Sequence, residues 1–496
     1  MRNFTIYLLA TIALLPLLCS CERGTKILYL IEVNDINCTA EAKEEIEITY
    51  RLHESILSSD TRANITTDAD WVTINQYSRL GKFSVNITEN EGDTRIANIS
   101  ISVEGCKTAT MTLTQWGTPP AEANHTLMYL FMGTSLSRYF DNNLKDASYA
   151  IGQGILGNNN RVLFFRQENT SKGYIGEICF VSNNECIERR LVENIAISDS
   201  QVTPEEVSQF IATMAELAPS KRYGLICAGH GQGWLPRDVV KNDADISKFG
   251  VDYAPWVKAE GAEVTRAYGE AKGMLNIPEL ASAIELSGVE LDYILFDACF
   301  MSNIETVYDL RNLANYIIAS PCEIMGKGFP YDKTLPHLFM DEGMTSDYAK
   351  AAESYYIYYR DDYNQTARSG SVTLFDCSEI EALAEATKSV ISSATEDYDK
   401  SQLQTYEGER VHHFYDFGEW VNVVATDKEA LAQFNAQFDE CIIATYTLSS
   451  FYSAYGQYGT YPINLDVYTG VTTSAPSDAF PKAWRETNWY NYVWGE

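Results

Sequence analysis

Two short apolar runs, each stopping abruptly at a reactive side chain, limit what this chain can become. Leu291-Asp-Tyr-Ile-Leu-Phe-Asp-Ala-Cys299 is built of strand formers and ends in an acid, a small residue and a thiol. Tyr223-Gly-Leu-Ile-Cys-Ala-Gly-His230-Gly-Gln-Gly-Trp234 ends at a histidine framed by glycines. Both runs are too short to span a membrane and are bounded by glycine or acidic residues, so they read as buried parallel strands. Ligands of open α/β sheets bind beyond the carboxyl ends of the strands, and adjacent strands would set His230 and Cys299 on one rim. A free thiol is mostly protonated near neutral pH, and a neighbouring imidazole makes the thiolate accessible. Cys299 is therefore the candidate nucleophile and His230 its proton-transfer partner. Cys227 lies closer to His230 in sequence, but an odd separation along a strand turns the two side chains to opposite faces.

The surrounding sequence supplies the rest of such a sheet. Thr126–Met132 and Arg161–Phe165 read as further strands, and Ser371–Asp376 as another downstream. Thr203-Pro-Glu-Glu206 is a helix start, with a capping threonine, proline at the first helical position and a glutamate three residues on. Val207, Phe210, Ile211 and Met214 then recur at helical spacing. A proline-initiated helix over 278–286 precedes the strand leading to Cys299, and Ile380, Leu383 and Ala384 share one side of a later helix. Strand and helix alternate throughout, the pattern of an α/β unit with a mainly parallel sheet covered on both sides. The tyrosine- and tryptophan-rich tail from Tyr452 to Trp494 is expected to cover a sheet edge or the groove. His412 and His413 are adjacent, so they point apart on a strand or helix; without an HExxH pattern, no metal is assigned to them.

The paired motifs, Phe296-Asp-Ala-Cys-Phe-Met-Ser302 and Gly229-His-Gly-Gln-Gly-Trp234, resemble those of clostripain-like cysteine peptidases, which share the caspase-type fold. The likeness continues through Glu305, Tyr316-Ile-Ile-Ala-Ser320 and Gly326-Lys-Gly-Phe-Pro-Tyr331. The resemblance implies that Cys299 attacks the scissile carbonyl, that His230 protonates the leaving amine, and that the N–H groups of Gly231 and Cys299 receive the oxyanion. It also implies that Asp297 sits near the specificity pocket and selects arginine or lysine before the cleaved bond, since a desolvated carboxylate requires an opposite charge. The reading of the residues alone leaves Asp297 two other roles, as a cap for a helix beginning near Ser302 or as a partner for a structural cation. Members of the family commonly mature by cutting themselves between the histidine and the cysteine. Arg237, Lys241, Lys248 and Lys258 are the basic residues weighed for that role. Some relatives respond to calcium; the chain lacks an EF-hand loop, so no cofactor or ion is assigned.

The chain has 496 residues and 45% hydrophobic content, enough for more than one core; its length suggests two to four units. Its formal net charge of −31 repels phosphate backbones, and no basic stripe offsets it, which excludes nucleic acid as a partner. Met1-Arg-Asn3 and the apolar segment to Leu18, followed by Cys19-Ser-Cys21, read as a signal peptide over 1–20. The resemblance to bacterial lipoproteins implies cleavage before Cys21 and lipidation of its thiol, giving an exported, membrane-anchored protein. Of 11 cysteines, setting aside Cys19 and Cys21 leaves an odd number, so at least one thiol is expected unpaired. Cys179 with Cys186, and Cys38 with Cys106, are candidate disulfides.

Ahead of the α/β unit the period changes to two. Phe83, Val85 and Ile87 alternate with polar neighbours, as do Ala97, Ile99, Ile101 and Val103, then Met111 and Leu113. Antiparallel strands of this kind make a small immunoglobulin-like β-sandwich, placed at 21–117. Trp71, Asn90–Arg95 and Thr112-Leu-Thr-Gln115 resemble BACON-type domains, a family suspected of binding carbohydrate or mucin. A spacer is the preferred reading here, with 118–125 as a stiff linker and the peptidase unit at 126–496. The reading that follows is an exported, lipid-anchored cysteine endopeptidase acting on proteins or peptides after Arg or Lys through a Cys-His dyad. The alternative is an inactive surface protein that recognises glycan or protein through the sandwich.

Overall fold

In the computed structural model the chain divides into two compact units, with the change near Gln115 and Trp116. The structure describes residues 28–495 except 39, 58–60, 77–79, 93–94, 116, 118–120, 157–158, 181–185, 199–200, 238–260, 263, 267–273, 340–346, 410 and 456–461. Residues 1–20, read above as a signal peptide, and Cys21 lie outside the described residues.

The first unit is a pair of four-stranded antiparallel sheets. The alternating residues of Lys82–Ile87, Arg95–Val103 and Ala109–Gln115 explain why: Phe83, Val85, Ile99, Ile101 and Leu113 are fully buried between the sheets, while the intervening residues are polar. Trp71 is covered by the Arg95 guanidinium, 4.4 Å from its ring centre, an arrangement that ties the two residues together.

The second unit is a nine-stranded mixed sheet. Its strands are β1 (His125–Phe131), β2 (Asn160–Gln167), β3 (Lys172–Phe180), β4 (Cys186–Ala196), β5 (Tyr223–Ala228), β6 (Leu291–Asp297), β7 (Ala314–Ala319), β8 (Val372–Asp376) and β9 (Ile442–Tyr446). They lie in the order β4-β3-β2-β1-β5-β6-β7-β8-β9. The strands from β2 across to β7 are parallel, and both edges are antiparallel. A tight connection turns β3 back on β2, with the Asn169 carboxamide accepting the N–H groups of Ser171 and Lys172 at 3.0 and 3.1 Å; so short a link permits only an antiparallel neighbour. The parallel centre and its caspase-like cover agree with the expected fold class.

Helices α1 (Ser137–Gly152), α2 (Pro204–Leu217), α3 (Ile277–Ser287), α4 (Ile304–Leu310), α5 (Tyr331–Leu338), α6 (Tyr348–Ile357) and α7 (Ile380–Ile391) cover the sheet. One face packs against α2, α3, α4 and α7 through Val207, Phe210, Ile284, Val307 and Leu383; the other packs against α1, α5 and α6 through Phe140, Leu335 and Tyr355. Helix α2 carries the expected capping box: Thr203 Oγ1 accepts the Glu206 N–H at 3.2 Å and the Glu206 carboxylate accepts the Thr203 N–H at 2.9 Å.

Four local expectations change. Asp297 is not a helix cap; α4 is capped by Asn303, whose side chain accepts the Thr306 N–H at 3.2 Å. Cys179 and Cys186 are free thiols, and Cys106 is free as well, so neither candidate disulfide forms. The hairpin aligns Cys179 with Ile187 and Phe180 with Cys186, so the two cysteines are not cross-strand partners. The linker ends before residue 125, because Ala123 donates to Pro219 O at 2.7 Å and His125 opens β1.

Candidate active site

The register of the two central strands brings the sequence candidates to one rim. Ala228 on β5 pairs with Asp297 on β6, and His230 and Cys299 each lie two residues beyond that pair. The chain turns sharply after the cysteine: Phe300 has φ of 61°, a left-handed conformation rarely adopted by a bulky residue. Stacking of Phe300 on Phe414 at 4.8 Å and donation of its N–H to Cys322 O at 3.1 Å hold it there. Gly231 sits so close to the Cys299 backbone that a Cβ would collide with the Cys299 main chain, which is why glycine follows the histidine. Cys227 packs on the opposite face from Cys299 and lines an apolar recess with Met132, Gly229, His230, Leu280 and Met301.

His230 Nε2 is hydrogen-bonded to Ser135 Oγ at 2.8 Å. Cys299 is fully buried, and its Sγ accepts the Ile324 N–H at 3.0 Å while facing Ile324 O at 3.6 Å. Burial pushes the thiol well above its ordinary range, helped by the nearby Glu323 carboxyl and opposed by the Ile324 N–H and Arg266. The sulfur is thus protonated and covered in the intact chain.

What covers it is a segment of the protein itself. Val264–Arg266 runs antiparallel to Ile324–Gly326: Arg266 N–H donates to Ile324 O at 2.8 Å, Gly326 N–H donates to Val264 O at 2.6 Å, and Thr265 bridges Met325. The Arg266 carbonyl oxygen accepts the Gly231 N–H at 2.8 Å. Its side chain, fully buried, enters a pocket floored by Asp297. There Nη1 meets Asp297 Oδ2 at 2.9 Å and donates to Asp297 O at 3.0 Å, and Nη2 donates to Asn143 Oδ1 at 2.7 Å. The Phe140 ring lies 5.7 Å from the guanidinium.

Asp297 is itself fixed by Tyr331 Oη at 2.7 Å and the Phe329 N–H at 3.3 Å. Burial holds its carboxyl above the usual range, against the pull of Arg266, Tyr331 and Phe329. Gly328, at φ of 73°, forms the remaining wall; a Cβ there would strike both the Arg266 guanidinium and the Asp297 carboxyl. A larger hollow of about 1280 Å³ lies at the amino ends of the strands, beside Arg222, Asp292 and Asn315, away from the thiol and the imidazole.

The remaining candidates are placed elsewhere. Arg237 is ion-paired to Glu279, whereas Lys241, Lys248 and Lys258 lie outside the described residues. Glu305 is a buried anchor for the tail, accepting Thr473 Oγ1 at 2.9 Å, Ser474 N–H at 3.1 Å and Trp484 Nε1–H at 3.1 Å. His412 is paired with Glu407 at 2.6 Å. Sequence reasoning missed Arg266, Asn143, Ser135 and Glu323. No signal in the sequence singled out Arg266, because the connection also holds Val239, Val240, Ile246, Phe249, Val251 and Trp256, and Val264-Thr265-Arg266 is one short strand-prone stretch among several.

A pocket shaped around a basic side chain, beside a cysteine and a histidine on one rim, invites comparison with known peptidases. The clostripain family model matches residues 129–429. The chain belongs to the clostripain family. A BACON domain model matches residues 61–115. Among solved structures, a secreted C11 cysteine protease from Bacteroides thetaiotaomicron ("iotapain") is similar at 26% identity and a TM-score of 0.64, over 75% of this chain and 100% of that one. An inactive zymogen C11 protease from Parabacteroides distasonis is similar at 26% identity and a TM-score of 0.61, over 76% of this chain and 99% of that one. No curated protein matches the chain. This clostripain-family protein is a cysteine-type peptidase, a hydrolase of peptide bonds.

Proposed function

We propose that it cleaves after arginine, with Cys299 as nucleophile and His230 as proton carrier, and that the intact chain holds its own Arg266–Ala267 bond as the first substrate. The observation that supports this is a single segment in which Arg266 has its guanidinium on Asp297 and its carbonyl oxygen on the Gly231 N–H. His230 takes the Cys299 thiol proton; sulfur attack on the Arg266 carbonyl carbon then forms a thioester and breaks the bond to the Ala267 nitrogen, which leaves with that proton from His230. Water, losing a proton to His230, then hydrolyses the thioester, freeing the Arg266 carboxylate and restoring the thiol. Gly231 supplies an N–H where negative charge develops on oxygen, and the Cys299 N–H is proposed as the second donor. Asn143 and the carbonyls around the guanidinium suit a planar fork better than a lysine ammonium, so arginine is preferred over lysine.

The self-cleavage site is therefore moved from Arg237, Lys241, Lys248 and Lys258 to Arg266. While the segment stays seated the enzyme is latent; the similar Parabacteroides distasonis structure is of an inactive zymogen. We further propose export and lipid anchoring through Cys21, to be checked by membrane fractionation of Cys21→Ser beside the wild type. The main test is peptide hydrolysis by the wild type and Cys299→Ala, with Arg, Lys or Gln before the cleaved bond. The reading requires Arg above Lys, no Gln cleavage, and no turnover by the variant. Equal turnover by both proteins sinks it.

A further inference from the structure

Resting on that reading, we infer that Glu323 makes the enzyme selective for a hydroxyl side chain one residue before the basic one. Glu323 lies on the connection that follows β7 and is fully buried. Its carboxyl is surrounded by donors without positive charge: Oε2 accepts Thr265 Oγ1 at 2.6 Å and the Ala454 N–H at 3.0 Å, and Oε1 accepts the Ser453 hydroxyl and the same N–H at 3.2 Å. Thr265 immediately precedes Arg266 and is itself buried, at 4% exposure. The segment that fills the basic pocket therefore places its preceding side chain on a closed, polar seat.

When Val264–Arg266 leaves, the Ala454 N–H and the Ser453 hydroxyl remain on Glu323 and the Thr265 hydroxyl does not. A substrate must then offer a donor at the same position, or Glu323 Oε2 keeps only the Ala454 N–H and a buried carboxyl is left one donor short. Threonine and serine carry that donor on Cβ. Valine has threonine's shape without the hydroxyl, so it fills the seat and leaves the oxygen one donor short. Burial also pushes the Glu323 carboxyl up to about 7, with Glu407 adding to the rise. A group in that condition depends strongly on each neutral donor it keeps.

The experiment compares kcat/KM of the processed wild-type enzyme on peptides identical except for Thr, Ser or Val before a fixed Arg. Threonine is expected to exceed valine by about tenfold to a hundredfold, the usual consequence of losing one hydrogen bond to a charged group, with serine between them. Glu323→Leu should bring the threonine-to-valine ratio close to one or invert it, whereas Glu323→Gln, which keeps an acceptor oxygen, should retain part of it. In the full chain, Thr265→Val should slow cleavage after Arg266. A wild-type ratio within twofold overturns the inference, and so does an unchanged ratio in an active Glu323→Leu enzyme. If Glu323→Leu does not fold, the wild-type ratio still decides. Hydrolysis of none of the Arg peptides would instead refute the endopeptidase reading beneath it, and the inference with it.

Discussion

Replacing Arg266 with Gln isolates the interaction on which the latent state depends. The wild-type guanidinium is wholly buried between Asp297 and Asn143, and a glutamine can neither reach that depth nor neutralise the carboxyl. Removing one partner of a buried ion pair costs about 3–5 kcal/mol, because the other charge is left unmatched. If that energy is available to the cleavage step, processing slows by roughly two to nearly four orders of magnitude. Asp297 escapes part of the penalty by taking up a proton, as its upward displacement favours, which places the effect toward the lower end. Intact mass spectrometry over time should show the wild type dividing after Arg266, while Arg266→Gln and Cys299→Ala persist as single chains. Arg266→Lys should be cut slowly, since an ammonium cannot serve Asp297 and Asn143 together. The reasoning fails if Arg266→Gln is cut at the same bond at the wild-type rate. It also fails if the wild type remains uncut while hydrolysing Arg peptides.

Two other perturbations test separate features. Gly328→Ala adds a methyl into the space held by the guanidinium on a backbone at φ of 73°, so turnover of Arg peptides should fall at least a hundredfold, with circular dichroism reporting whether the fold survives. His413 is buried and lowered to about 4, so between that value and its unfolded value near 6.5 the unfolded chain binds a proton that the folded one refuses. Stability contributed by neutral His413 is therefore present above pH 6.5 and is lost as the pH falls toward 4, by about 3 kcal/mol in all. Glu407, held low by His412, loses stability in the same direction but in a more acidic window. His413→Phe, which keeps a ring against Phe480, should flatten the decline of denaturant stability between pH 6.5 and 4; an unchanged slope would exclude His413 as its source.

The fold was legible because its signals are local. Each central strand is a continuous apolar run, and Thr203-Pro-Glu-Glu206 carries its own start signal, so their type needed no knowledge of neighbours. The edges were less legible: β8 reads like any apolar strand, and only its pairing with Ile317 and Leu374's register against β7 shows it to be antiparallel. The expected Cys179–Cys186 disulfide failed for a related reason, since spacing across a turn does not fix which residues become cross-strand partners.

By itself the sequence determined that Cys299 and His230 share a rim, because parallel strands that end together must present their next residues on the same side of the sheet. It could not determine what occupies the pocket. Asn143, Arg266, Asp297, Gly328 and Tyr331 come from different elements and loops, and no periodicity connects them. Only folding brings the Arg266 guanidinium to the buried Asp297 carboxylate, because the energy of that meeting depends on burial and distance, and neither is a property of a residue's place in the chain.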